Sequence, residues 1–180
     1  IQYSITPDEC LEDGAVYSFK NSASNKYMTV YGGSTANGTN ICQSYSAAPT
    51  LSQTFRLDYQ EDTEGYLIRS LCSSNGYGSA LTYSYSAMAS DSASATSGNV
   101  SLYSVDEEDS AWLDDQTWMI LPHNGTDLFK IVSLRDPGYA ITAYGSANGT
   151  SGGTTSTSAG NIYVSEFNGA ANQLWKIESG

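Results

Sequence analysis

Basic side chains are scarce in this 180-residue chain. Lys and Arg number 7 against 19 Asp and Glu, with a single His, and the formal net charge is -12. Nucleic acid and anionic membrane surfaces both demand a basic face, so neither is a partner. No apolar run approaches the ~18 residues that a membrane span requires, so no membrane span is expected. Cysteine is limited to Cys10, Cys42 and Cys72, an odd count with no Cys-x-x-Cys pair. With His123 as the only imidazole, no zinc set can be assembled. At least one thiol is unpaired. A bridge from Cys10 to Cys42 or Cys72 stays open, and Cys42, in an apolar strand pattern, reads as a buried thiol. Strong helix formers are sparse, and charged residues make up only 14% of the chain.

What fills the chain instead is Gly, Ser, Thr, Asn, Ala and Tyr. Tyrosine, at 14, outnumbers Phe (4) and Trp (3) together. Tyr and Thr favour strands, whereas Gly, Asn and Ser favour turns. The composition describes a soluble, extracellular, all-β protein. Its length suits one domain, large enough to fold without a metal or a disulfide frame. The chain opens at Ile1 with no basic segment and apolar stretch after it. That fits either a secreted protein already processed or a module of a longer one.

Self-comparison reveals three copies of one plan. Each opens with a strand-like run, at Val16–Lys20, Tyr66–Ser70 and Leu128–Val132. A second run follows, at Tyr27–Tyr31, Ala80–Tyr83 and Ala140–Tyr144. A third begins on Asn each time, at Asn40, Asn99 and Asn161. Each copy ends in Gln-x-aromatic: Gln53 with Phe55, Gln116 with Trp118, and Gln173 with Trp175. The repeats span about residues 14–60, 64–121 and 126–178, and a domain over 14–180. Residues 1–13 lie outside them, as an N-terminal extension: a linker remnant or an extra strand. A single copy cannot bury its apolar face, but three around a pseudo-threefold axis close a small barrel capped by hairpins. The ring of each Gln-x-aromatic motif then fills the shared core, and the Gln amide satisfies backbone groups at a turn.

The three Gln-x-aromatic motifs, the Ser34–Ile41 loop, the Lys26–Val30 strand and the closing Asn172–Ile177 segment carry a resemblance. The chain resembles ricin-type β-trefoils, the family of R-type lectins and family 13 carbohydrate-binding modules. The resemblance runs over about residues 14–178. It implies an all-β fold, a β-trefoil of twelve short strands in three pseudo-repeats. It also implies a non-catalytic carbohydrate-binding module of an extracellular protein. Its partner would be a polysaccharide or another glycan, and the chain a monomer, tethered to a catalytic or scaffold domain. No cofactor and no metal are implied. The alternative is a trefoil that has lost its sugar sites and contacts protein, as an inhibitor, adhesin or structural spacer.

In the resembled family an active repeat carries Asp in its second strand and an aromatic after the start of its third. Here the Asp position reads Thr29, Thr82 and Thr142, and the aromatic position reads Ser44, Tyr103 and Ser165. Two residues beyond Thr29 and Thr142 stand Tyr31 and Tyr144, on the same strand face. A relocated platform follows: Thr29 with Tyr31, Thr82 with Tyr103, and Thr142 with Tyr144, joined in the third repeat by Asn168 and Asn172. A tyrosine stacks on the C–H face of a sugar, and hydroxyl and amide groups bind its hydroxyls.

Other motifs read less sharply. Six carboxylates crowd residues 106–115, as a solvated loop or a weak calcium site without the spacing of an EF-hand. The Ser/Ala-rich stretch 84–98 reads as a mobile loop. Residues 149–153 fit a nucleophile-elbow pattern, but they sit in a Gly/Thr/Ser loop with no helix to follow. A triad would need His123, 28 residues before Ser151, within reach, with Asp127 as the orienting acid; in this context no catalytic residues are assigned. Sequons at Asn37, Asn99, Asn124 and Asn148 are first of all turn or strand-start positions.

Overall fold

The computed structural model describes residues 3–83, 98–144 and 160–179. Ser84, most of the Ser/Ala-rich stretch, the elbow-like motif and the Asn148 sequon lie outside the described residues.

Each repeat supplies four strands. The first holds β2 (Val16–Asn21), β3 (Tyr27–Val30), β4 (Thr39–Ser44) and β5 (Phe55–Gln60). The second holds β6 (Gly65–Ser70), β7 (Ala80–Tyr83), β8 (Gly98–Tyr103) and β9 (Thr117–Pro122). The third holds β10 (Phe129–Ser133), β11 (Tyr139–Ala143), β12 (Ile162–Glu166) and β13 (Trp175–Ser179). The first and fourth strands of the repeats pair antiparallel in the cycle β2–β5–β6–β9–β10–β13 and back to β2. A closed cycle leaves the barrel no free edge.

Strand alternation fills it. Phe55 and Leu57 of β5 point inward and are fully buried, while Arg56 and Asp58 between them are half-buried. Trp175 and Ile177 do the same on β13 around the exposed Lys176. Phe55, Trp118 and Trp175 are all 0% exposed, and all three belong to one hydrophobic cluster. Truncating any of them to Ala would cost about 3–5 kcal/mol. The indole N–H of Trp118 donates to the Leu81 carbonyl (3.0 Å), and that of Trp175 to the Ile141 carbonyl (3.1 Å).

The second and third strands form hairpins, β3–β4, β7–β8 and β11–β12, that cover one end of the barrel. They are joined to each other by β4–β8 and β8–β12 pairing and by a bridge between Cys42 and Asn161. Where they meet, the three repeated asparagines close a ring. Asn40 Nδ2 donates to Asn161 Oδ1 (2.7 Å), Asn161 Nδ2 to Asn99 Oδ1 (2.8 Å), and Asn99 Nδ2 to Asn40 Oδ1 (2.7 Å). The side-chain nitrogen of the Asn99 sequon is thus held inside the fold.

Of the two readings of the N-terminal extension, an extra strand is the one seen: β1 (Tyr3–Ser4) pairs with β13, and Ile5 is buried in the core. The acidic stretch is not simply a solvated loop. It contains α1 (Ser110–Gln116), capped by the Asp109 carboxylate, which accepts from the Trp112 backbone N–H (3.1 Å). Asp115 pairs with Arg135, and Glu107 lies 3.4 Å from Arg69. The half-dozen carboxylates are therefore divided between a helix cap, two arginines and solvent. Among the described residues no group of three or more His, Cys, Asp or Glu side chains is arranged to hold a metal ion. All three cysteines are free: Cys10 is exposed, Cys42 buried and Cys72 half-buried.

Candidate functional site

Each repeat folds its Gln-x-aromatic motif back onto its own second and third strands. Gln53 Nε2 donates to Thr29 Oγ1 (3.1 Å) and to the Ser44 carbonyl (3.2 Å). Gln116 Nε2 donates to Thr82 Oγ1 (3.0 Å) and to the Tyr103 and Ser104 carbonyls. Gln173 Nε2 donates to Thr142 Oγ1 (3.2 Å) and to the Glu166 carbonyl (2.8 Å). Each Thr hydroxyl in turn donates to the carbonyl two residues before it, at Tyr27, Ala80 and Ala140. The result is a Gln–Thr brace, repeated three times and buried each time.

Thr29, Thr82 and Thr142, read from the sequence as sugar contacts, are buried here. Each hydroxyl donates to a carbonyl of its own strand and accepts from a Gln Nε2, which holds the Gln in place. The Asn residues of the third repeat also have internal partners. Asn172 Nδ2 donates to the Ala143 carbonyl (3.1 Å), and Asn168 Oδ1 accepts from the Ala170 backbone N–H (2.9 Å).

Aromatic side chains gather beside the braces in a different way in each repeat. In the first, Tyr31 is 52% exposed on a short 3-10 turn (Tyr31–Gly33) that packs against the turn carrying Gln53. Gly32 and Gly33 of that turn have φ of 63° and 64°, which only glycine adopts without strain. Tyr45 directly follows the Ser44 that accepts from Gln53, and it is 72% exposed. In the second repeat, Tyr103 meets Trp112 edge-on, with centroids 5.4 Å apart at 87°. The Trp112 indole N–H donates to the Ser104 carbonyl, the same oxygen that accepts from Gln116. Asn37 Oδ1 of the first repeat accepts from the Ser104 N–H (2.9 Å), so this corner is built from two repeats. In the third, Tyr144 lies edge-on to Tyr163, at 5.8 Å and 67°. Tyr163 stands on β12 opposite Thr142.

The aromatic members Tyr31, Tyr103 and Tyr144 are therefore each beside their own brace. Tyr45, Trp112 and Tyr163 escaped the sequence reading. Trp112 had a signal, since Asp109 three residues earlier is a helix N-cap type. Tyr45 and Tyr163 had none beyond being tyrosines in a tyrosine-rich chain.

Titratable chemistry near these surfaces is muted. Burial, and then the hydrogen bond to Glu178, pushes the Tyr27 hydroxyl far above its ordinary range. Burial raises the Asp115 carboxyl, and the Arg135 guanidinium only partly offsets it. His123 is packed edge-on against Phe167, with centroids 6.1 Å apart. Aromatic faces beside hydrogen-bonded backbone suit binding of a hydroxylated ring.

A model of the ricin-type β-trefoil lectin domain-like family matches residues 2–82, less than half of the chain. Solved structures extend the likeness to nearly all of it. The designed threefold-symmetric protein ThreeFoil is similar with a TM-score of 0.65 and 21% identity, over 90% of this chain and 96% of that one. The fold is a β-trefoil. The Rhizoctonia solani agglutinin is similar at a TM-score of 0.69 and 15% identity, over 96% of this trefoil and 99% of the agglutinin. The exo-β-1,3-galactanase 1,3Gal43A from Clostridium thermocellum reaches 0.69 and 22%, over 96% of this trefoil but 32% of the enzyme. No curated protein matches the sequence. No helix among the described residues is long and apolar enough to cross a membrane.

Proposed function

We propose that this trefoil is a non-catalytic carbohydrate-binding module of an extracellular protein, taking a polysaccharide or glycan on tyrosine platforms. The observation that carries the reading is the recurrence of an aromatic beside a buried Gln–Thr brace in all three repeats. A rigid brace fixes the backbone under the ring, so a sugar is met by a platform that is already ordered. The platforms are Tyr31 with Tyr45, Tyr103 with Trp112, and Tyr144 with Tyr163. Each offers a small stacking area, so single sites are weak. Linked sites on one polymer raise avidity by roughly 10²–10⁴ where the geometry lets them engage together. The likeness to an agglutinin, and to about a third of a galactanase, supports a sugar-binding module joined to a catalytic domain.

Affinity gels containing xylan, cellulose or starch test the reading. The wild-type protein is retarded in at least one of them. The combined variant Tyr31→Ala, Tyr103→Ala, Tyr144→Ala loses most of that retardation while keeping the wild-type melting temperature. Unchanged retardation of the triple variant removes the tyrosine platforms. A wild-type protein that ignores every glycan and binds a protein partner regardless of added sugar supports the protein-contact alternative.

A further inference from the structure

The second repeat departs from the other two at one more place. The connection between its first two strands runs over residues 71–79, against 22–26 and 134–138 in its counterparts. This longer loop holds two consecutive non-glycine residues in the left-handed region, Ser74 at φ 50° and Asn75 at φ 55°. Such conformations persist only where the surroundings impose them, and they cluster at functional sites. Here two arginines impose them. The Arg56 guanidinium donates to the Asn75 carbonyl through Nε and Nη2, and to the Gly14 carbonyl through Nη1. Arg69, 7% exposed, donates to the Gly78 carbonyl (2.8 Å) and to Asp58 Oδ2 (3.0 Å). Gly76 is required because a Cβ there would lie 2.7 Å from Arg56 Nε.

The braced loop presents Tyr77. Its ring stacks against Arg56 at 4.8 Å from the centroid, yet the residue remains 72% exposed. The cation holds one side of the ring and leaves the aromatic open to water, in a fixed orientation that a planar ligand can meet. It stands between two adjoining clefts. One, of about 210 Å³, is lined by Asp13, Asp58 and Arg56 among others; the second, of about 420 Å³, by Asp106 and Glu107. Asp13 Oδ1 accepts from the Tyr59 backbone N–H (2.9 Å), which fixes the carboxylate at the rim.

We propose that this cleft is a further ligand site, separate from the three braces, for one neutral pyranose ring or the end of a neutral glycan chain. The ring stacks on Tyr77, and its hydroxyls donate to Asp13 and Glu107. Three points select that chemistry. The acceptors are carboxylates, the strongest partners for vicinal hydroxyls. Four carboxylates face two arginines whose donors already serve main-chain carbonyls, Asp58 and Glu107, so an anionic sugar is repelled. The smaller cleft lies below the ~300 Å³ typical of pockets for drug-sized ligands, a size for one ring, and the second cleft gives a chain an exit. The proposal rests on the reading of this trefoil as a sugar binder but uses a different surface, so the two can fail separately.

The test is an NMR titration of the ¹⁵N-labelled full chain with the methyl β-pyranosides of glucose, galactose and xylose at millimolar concentration, with methyl β-glucuronoside as the anionic control. Backbone signals of residues 74–78 and Asp13 shift with at least one neutral probe and stay still with the glucuronoside. Tyr77→Ala weakens that response at least about tenfold, while Tyr77→Phe keeps it within about threefold, which separates loss of the platform from collapse of the loop. Asp13→Asn keeps the bond to the Tyr59 N–H and weakens the response severalfold. The Tyr31/Tyr103/Tyr144 triple variant leaves it unchanged. Absence of any shift at residues 74–78, or a shift that survives Tyr77→Ala, overturns the proposal. If those signals respond in the triple variant as in wild type but polysaccharide retardation is intact too, the platform reading fails and this site stands.

Discussion

Replacing Asn161 with Ala opens the asparagine ring at its most deeply buried member, 0% exposed. Asn40 Nδ2 then loses its acceptor, and Asn99 Oδ1 loses its donor. A buried polar group left without a partner costs about 1–3 kcal/mol. Asn40 is 5% exposed and carries the full cost, while the half-buried Asn99 recovers part of it from water. The single substitution should therefore destabilise the protein by about 2–4 kcal/mol, a large share of the 5–15 kcal/mol of a typical domain. The threefold arrangement makes a sharper demand. Changing Asn40, Asn99 and Asn161 together to Val leaves no ring partner orphaned and puts a strand-favouring residue at each strand start. The triple variant should cost less than the summed singles by about 3 kcal/mol or more, because neighbours in one network are not additive. Urea unfolding followed by tryptophan fluorescence and far-UV circular dichroism, with coincident transitions, measures all four values. Single costs below about 0.5 kcal/mol, or a triple cost equal to the sum, would refute the cooperative ring.

Two further outcomes follow from unequal copies of the same device. Gln53 Oε1 accepts from the Thr50 N–H and Gln173 Oε1 from the Asn168 N–H, whereas the buried Gln116 Oε1 has no hydrogen-bond partner among the described residues. Gln116→Ala should thus cost about 1 kcal/mol less than Gln53→Ala or Gln173→Ala in urea unfolding; an equal or larger cost contradicts the account. Burial pushes the Cys42 thiol up to about 11 from its ordinary 9. The unfolded chain loses that proton above pH 9 while the folded chain keeps it, so this contribution to stability is full below pH 9 and is lost as pH rises to 11. The stability difference between wild type and Cys42→Ala should shrink over that interval by up to about 3 kcal/mol; a difference independent of pH rules the buried thiol out as its source.

The triplication was legible because every copy must supply the same parts to one shared centre. A ring is needed at Phe55, Trp118 and Trp175, and an amide at Gln53, Gln116 and Gln173. Those demands leave the same spacing in each third of the chain. What the spacing hides is direction. Thr29, Thr82 and Thr142 occupy positions where the resembled family places a sugar-binding Asp, yet their hydroxyls serve a Gln that lies 24, 34 and 31 residues further along. Nothing local to a strand reports that partner. The acidic stretch misled for a related reason. Its charges looked uncompensated because Arg69 and Arg135 sit 38 and 20 residues away from Glu107 and Asp115. The N-terminal segment lacked a counterpart in the repeats, so only its pairing with β13 shows that it belongs to the barrel.

Symmetry and its breaks divide the labour in this molecule. The barrel cycle, the asparagine ring and the three braces are closed systems whose polar groups are matched almost entirely by one another. Such systems set stability, and in the asparagine ring a change in one copy leaves partners stranded in the other two. The departures from threefold symmetry fall outside them: Tyr45 after β4, the helix carrying Trp112, the Tyr144–Tyr163 pair, and the arginine-braced loop under Tyr77. These are the places where side chains can differ without orphaning a buried group. A fold that keeps its hydrogen-bond obligations at the centre leaves its rim free to vary, and on this trefoil the exposed tyrosines Tyr31, Tyr45 and Tyr77 stand at that rim.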